Sequence, residues 1–185
     1  MAAPTAAAAA STSRSPSKIL RAAAPPKVLP RPAQKSDMSI LASILPPGNI
    51  LCGLDAGSKT QLFEEAGQLF ENTLKLPRKK VIESLATREK LGSTGLGYGF
   101  AIPHGRIKSL SEATSAFFKL KTPISFDAPD GQPVSMLFIL LVPEKATDLH
   151  LQILGELAQM FSNRQLREKL LASDDPTEIY QLLTA

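Results

Sequence analysis

The chain has two histidines, His104 and His150, and each stands where an imidazole can act. His104 closes the run Gly99-Phe100-Ala101-Ile102-Pro103-His104-Gly105. Pro103 has no N–H to give a sheet ladder, so it reads as the end of a strand. Gly105 relieves the backbone and leaves room beside the ring. An imidazole on such a turn serves as a base, a metal ligand or a nucleophile, or simply caps the turn. His150 falls in the first turn of a helix expected from about Asp148 to Phe161, with Thr147 as its N-cap. Ile153, Leu154 and Leu157 follow it at i+3, i+4 and i+7, which turns the ring inward. There it is either a hydrogen-bonded core histidine or half of a site. A helix start offers free N–H groups and a partial positive charge, which keep His150 neutral and favour a nearby anion. Two imidazoles beside a helix start suit a phosphoryl group better than a metal.

Phosphoryl transfer through histidine makes further demands. The attacking ring nitrogen carries no proton, so another group holds the proton on the second nitrogen, and a backbone carbonyl near a turn can do this. The phosphoryl oxygens need donors such as an imidazole N–H, backbone amides or a guanidinium. Arg88 precedes a glycine-rich loop and offers a rigid fork that lysine lacks. On composition alone it reads better as an exposed arginine at a helix end.

The elements that position these groups follow from spacing. Ser58-Lys59-Thr60-Gln61 has capping-box spacing, and Leu62, Phe63, Ala66, Leu69 and Phe70 then mark one helical face. Pro77 is placed as the first residue of a second helix running to about Arg88. Leu91–Gly99 carries four glycines and reads as a loop. Phe100–Ile102 reads as a short strand leading to His104, and Thr114–Leu120 as another. Asp130-Gly131 marks a turn. Val134–Val142 is almost continuously apolar, as in a strand covered on both faces, and Pro143 ends it. In the following helix Ile153, Leu154, Leu157, Ala158 and Phe161 share a side. Shorter helices are expected near Asn163–Ala172 and Pro176–Leu183. The pattern predicts an α/β domain, a mixed β-sheet flanked by helices, with ligands at strand ends.

Bulk properties narrow the chemistry. The chain has 185 residues, one domain's worth plus an extension, and 43% hydrophobic residues provide for a core. With no tryptophan and two tyrosines, stacking platforms for nucleic acid are scarce. The net charge of +4 misleads. Residues 1–36 hold Arg14, Lys18, Arg21, Lys27, Arg31 and Lys35 and no acid, leaving 15 basic and 17 acidic residues in 37–185. A mildly acidic folded part gives no case for a nucleic-acid partner. Cys52 is the single cysteine, which excludes an internal disulfide and fits a reducing compartment, so a cytoplasmic location is expected. One Cys and two His are too few for a typical structural zinc site, and no metal is expected. The longest apolar run, Met136–Val142, is too short to span a bilayer. Residues 1–37 are read as an extension outside the 38–185 domain. Low-complexity Ala, Ser, Pro and Arg fit a disordered tail, an organellar leader, or a start codon placed ahead of Met38.

The run Arg88-Glu89-Lys90-Leu91-Gly92-Ser93-Thr94-Gly95-Leu96-Gly97-Tyr98-Gly99-Phe100-Ala101-Ile102-Pro103-His104-Gly105 resembles the signature of the enzyme IIA domain of the mannitol/fructose class in the phosphoenolpyruvate-dependent phosphotransferase system. Its Gly-Ser-Thr-Gly-Leu-Gly form is most similar to the nitrogen-regulatory branch. Residues 123–134, Leu140–Pro143 and Leu149–Leu154 extend the likeness, which covers roughly residues 38–185. The resemblance implies an enzyme IIA sandwich fold and a regulatory phosphocarrier, a phosphotransferase component without cofactor. By it, His104 accepts the phosphoryl group through Nε2, His150 contacts that group, and Arg88 assists. Thr94, Gly95 and Gly105 border the pocket. Tyr98 departs from the smaller or polar residues of the pattern and is expected to alter access. The implied partners are a histidine phosphocarrier protein of the HPr kind and regulatory targets, met by a monomer. An interaction module without phosphate exchange and an enzyme IIA subunit of a sugar transporter stand as alternatives.

Overall fold

The computed structural model describes residues 39–145 and 147–185. The readings of residues 1–37 and of Met38 as a start lie outside the described residues. Ser39 opens α1 (Ile40–Ile44), its side chain accepting from the Leu41 N–H. A 3₁₀ turn, Pro47–Asn49, leads into β1 (Ile50–Leu54). Ser58 caps α2 (Lys59–Leu74) by accepting from the Gln61 N–H, while Gln61 Oε1 reaches back to the Gly57 N–H at 2.7 Å. This is the expected capping box displaced by one residue on its return bond. Pro77, expected as the first residue of α3 (Arg78–Lys90), is instead the residue just before it and makes no side-chain capping bond.

Five strands follow: β2 (Gly95–Gly97), β3 (Phe100–Ala101), β4 (His104–Ile107), β5 (Thr114–Ile124) and β6 (Val134–Pro143). The chain then forms α4 (Thr147–Ser162), α5 (Arg164–Ala172) and α6 (Pro176–Thr184). Asn163 and Asp175 cap the last two helices through their side chains. α4 begins at Thr147, where the sequence places the start of this helix.

The strands make one mixed sheet in the order β1-β5-β6-β3-β2, with β4 also pairing β6. β5 and β6 run antiparallel, while β1 is parallel to β5, and β3 and β4 are parallel to β6. β6 is the central strand, and its alternation divides the core. Leu137, Ile139 and Leu141 join Leu62, Phe63, Phe70, Val81 and Leu85 of α2 and α3 on one face. Met136, Phe138, Leu140 and Val142 join Ile153, Leu157, Phe161, Leu170 and Ile179 of α4–α6 on the other. A strand buried on both faces explains the continuous apolar run. Ala158, expected on the inner side of α4, is exposed.

Two local expectations change. The glycine stretch is not all loop, because Gly95–Gly97 pairs antiparallel with β3. The expected short strand is present and ends at Ala101, ahead of Pro103, but His104 also begins a strand of its own, β4. β3 and β4 lie along β6 in one unbroken register, with Phe100 opposite Met136 and His104 opposite Leu140. Pro103 sits within this line and still accepts the Leu140 N–H through its carbonyl at 2.9 Å. Lacking only a donor, proline interrupts this line without ending it.

Candidate functional site

His104 is placed by β4, whose alternate residues point opposite ways. Ile107 packs into the core beneath α2 and α3, and Gly105 abuts Ser84 of α3. A Cβ at Gly105 would overlap Ser84 Oγ and stand 3.0 Å from Ser84 Cβ, so only glycine allows this approach. Ser84 Oγ also donates to the Arg106 carbonyl at 2.9 Å, pinning α3 to β4. One helical turn beyond Ser84, Arg88 projects toward the histidine.

The His104 ring is 8% exposed and held at both nitrogens. Nδ1 lies 2.8 Å from the Ile102 carbonyl oxygen, which can only accept, so Nδ1 carries the proton. Nε2 is 3.1 Å from Arg88 Nε, which can only donate, so Nε2 presents its lone pair. Arg88 is itself tethered, its Nη1 donating to the Gly92 carbonyl at 2.9 Å. The geometry thus selects one tautomer, with the lone pair on Nε2. Burial lowers the His104 pKa, the Ile102 carbonyl opposes this, and the charge of Arg88 lowers it further.

His150 comes from the first turns of α4 and stands edge-on to His104, ring centroids 5.0 Å apart. It is 7% exposed, and neither ring nitrogen has a hydrogen-bond partner among the described residues. Its pKa falls to about 4, first through burial and then through positive charge at His104, Arg106 and Arg88. The expected neutral ring is present, with burial rather than the helix start as the leading cause. Buried polar atoms normally find partners, so two orphaned nitrogens mark a place that wants one.

Both rings and Arg88 line a cavity of about 580 Å³, together with Gly105, Lys80, Arg106 and Lys108. Glu83 is the one acid on its wall among the described residues, so the cavity favours an anion. Of the sequence candidates, His104, His150, Arg88 and Gly105 come together here. Thr94 and Gly95 lie off this wall. Thr94 donates through N and Oγ1 to the Glu89 carboxylate, and Gly95 passes so close to Ala128 that a Cβ would stand 2.8 Å from Ala128 Cβ. Tyr98 is also away from it, 69% exposed, with Arg167 over its ring at 4.1 Å, so it does not control access. Arg106 was not among the candidates. Its sequence signal is the i+2 spacing from His104 on a strand.

Residues 43–185 match the family described as phosphoenolpyruvate-dependent sugar phosphotransferase system, EIIA 2. The chain belongs to this family. Among individual relatives, it is 40% identical over 144 residues to the nitrogen regulatory protein of Pseudomonas aeruginosa, spanning 77% of this chain and 94% of that one. The crystal structure of the nitrogen regulatory protein IIA-Ntr from Neisseria meningitidis superposes with a TM-score of 0.75 at 50% identity, covering 78% of this chain and 99% of that one. The IIA mannitol structure from Escherichia coli shares the fold, with a TM-score of 0.62 at 21% identity over 73% of this chain and 95% of that one.

Proposed function

We propose that this chain is a regulatory phosphocarrier that accepts a phosphoryl group on His104 Nε2 from an HPr-type protein and signals to partner proteins by its loading state. The observation that carries the reading is the fixed tautomer. Nδ1–H is committed to Ile102, and Nε2 holds a lone pair on a cationic cavity wall. Kinship with nitrogen regulatory proteins supports the regulatory role.

In the step itself, the Nε2 lone pair attacks the phosphorus of the donor's phosphohistidine. An N–P bond forms on His104, the donor's P–N bond breaks, and its electron pair returns to the donor ring. The Nδ1–H bond to Ile102 persists and steadies the positive charge that the ring takes on. Arg88 Nε leaves Nε2 and turns to a phosphoryl oxygen, a charge-assisted bond stronger than the one it gives up. His150, neutral and without a partner among the described residues, donates its ring N–H to another oxygen. Such preoriented donors stabilise the transferring group at little reorganisation cost.

All three side chains come from one chain, so a monomer suffices. No helix among the described residues is long and apolar enough to cross a membrane. A cytoplasmic location fits the single cysteine and the phosphodonor chemistry. Incubation with a phosphorylated HPr-type protein, followed by mapping of acid-labile phosphate, tests the reading. Label on His104 is expected; an unlabelled chain overturns it.

A further inference from the structure

Glu89 occupies the last turn of α3, where a carboxylate opposes the helix dipole. Its side chain is nonetheless 7% exposed and fully engaged. Oε2 accepts from the Thr94 N–H at 3.1 Å and from Thr94 Oγ1 at 2.6 Å. Oε1 accepts from Lys59 Nζ at 2.9 Å and makes a longer contact of 3.3 Å with the Thr94 N–H. Lys59 in turn reaches Asp127 at 3.0 Å, between β5 and β6. One buried carboxylate therefore gathers the start of α2, the end of α3 and the glycine stretch. A buried charge is retained only where such partners compensate its desolvation.

The contacts continue toward the site. The Thr94 carbonyl accepts the Ile102 N–H at 3.0 Å, and the Ile102 carbonyl takes the His104 Nδ1–H at 2.8 Å. Glu89 is also the neighbour of Arg88, whose Nη1 is tied to Gly92 inside the loop that Thr94 closes. Both bonds that fix the His104 ring thus run back to the segment that Glu89 holds.

We propose that Glu89 is a positioning residue for His104. By clamping Thr94 it holds the Ile102 carbonyl where that oxygen keeps the proton on Nδ1, and so keeps Nε2 ready to attack. Lys59 completes the clamp by occupying Oε1. The role rests on the reading of His104 as the phosphoryl acceptor, but its signature, the tautomer, is read without any phosphoryl donor.

The test uses the full chain, ¹⁵N-labelled at histidine, in three variants. Glu89→Gln sets an amide donor against the Lys59 ammonium and weakens the clamp. Thr94→Val deletes only the hydroxyl bond, and Thr94→Ser returns it. Histidine ¹⁵N spectra across pH report the tautomer of His104, and single-turnover transfer from a phosphorylated HPr-type protein reports the rate. The native chain is expected to hold His104 almost wholly as the Nδ1–H form. Glu89→Gln and Thr94→Val are expected to mix in the other tautomer and to slow transfer about 10-fold, the lower range for losing an orienting partner. Thr94→Ser is expected to restore both readouts. Unchanged spectra and rates in Glu89→Gln and Thr94→Val overturn the inference, as does a loss of rate with the tautomer intact. If Glu89→Gln does not fold, the Thr94→Val and Thr94→Ser pair decides alone. A native chain that shows the Nδ1–H form but takes up no phosphate defeats the proposed function instead.

Discussion

Arg88 Nε donates to His104 Nε2 at 3.1 Å, so the guanidinium covers the lone pair proposed to attack phosphorus. The lone pair is therefore guarded, and the proposed loading would begin with an exchange of partners. Arg88→Met removes the guard and the oxygen donor together. Loss of a donor to a developing charge is worth about 10²-fold in rate. Arg88→Lys should recover little, because a point charge cannot hold Gly92 and a phosphoryl oxygen in one plane. Rapid-quench transfer kinetics check this, and a native rate in Arg88→Met excludes Arg88 from the step.

His104→Ala is expected to accept no phosphate at all. It also strands the buried Ile102 carbonyl, at a cost of about 1–3 kcal/mol. Denaturant unfolding and phosphosite mapping of the same sample read both effects. Phosphate appearing at another residue contradicts the assignment.

His150 offers the opposite trade. Both of its nitrogens are buried without partners among the described residues, so His150→Leu removes an unmet polar demand. Its stability should equal or exceed that of the native chain, by up to about 1–2 kcal/mol, while transfer slows. A variant several kcal/mol less stable with a native transfer rate would make His150 a packing residue only.

The same rings set a pH dependence. Both folded-state pKa values lie below the ordinary histidine value, that of His150 at about 4. An unfolded-chain histidine titrates near about 6.5. Below that pH the unfolded chain takes up protons that the native chain refuses, so stability falls as the pH falls. For His150 the loss is complete only below about 4. Unfolding midpoints measured between about pH 7 and about pH 5 should drop, with a shallower slope in His150→Leu. Equal slopes in the two proteins would show that His150 titrates normally.

Gly105→Ala is expected to wedge α3 away from β4, because its Cβ would run into Ser84. Overpacking of this kind costs about 1–3 kcal/mol. It should also separate Arg88 from His104 and slow transfer. Adding Ser84→Gly should recover part of both losses, and a double-mutant cycle measures the coupling. Strict additivity would mean that the two residues do not share the strain.

The site was legible in the sequence to the extent that its chemistry sits in rare residue types at telling spacings. His150 faces inward because Ile153, Leu154 and Leu157 fix that face of α4. β6 and the long helices were legible because burial on two faces or on one leaves a periodic trace. Thr94 and Gly95 were misplaced onto the pocket wall, since proximity in sequence does not say that their contacts are Glu89 and Ala128. β2 was hidden because its glycines signal a loop, while pairing with β3 imposes a strand. β1 is five residues long, with Gly53 at a positive φ of 70°, too short and irregular to announce itself. Pro103 hid β4 for a physical reason: β3 does end before it, but its carbonyl joins the ladder at Leu140 even though its nitrogen cannot, and a second strand starts at His104.

The unbroken register of β3 and β4 along β6 has a bearing on how a loaded carrier is recognised. Strand β4, which bears His104, is laddered along β6 and pinned to α3 through Ser84, a backbone that loading need not move. Loading instead deposits about −1.5 to −2 units of charge in a basic hollow. A downstream reader would then sense an inverted local potential at the mouth of the hollow.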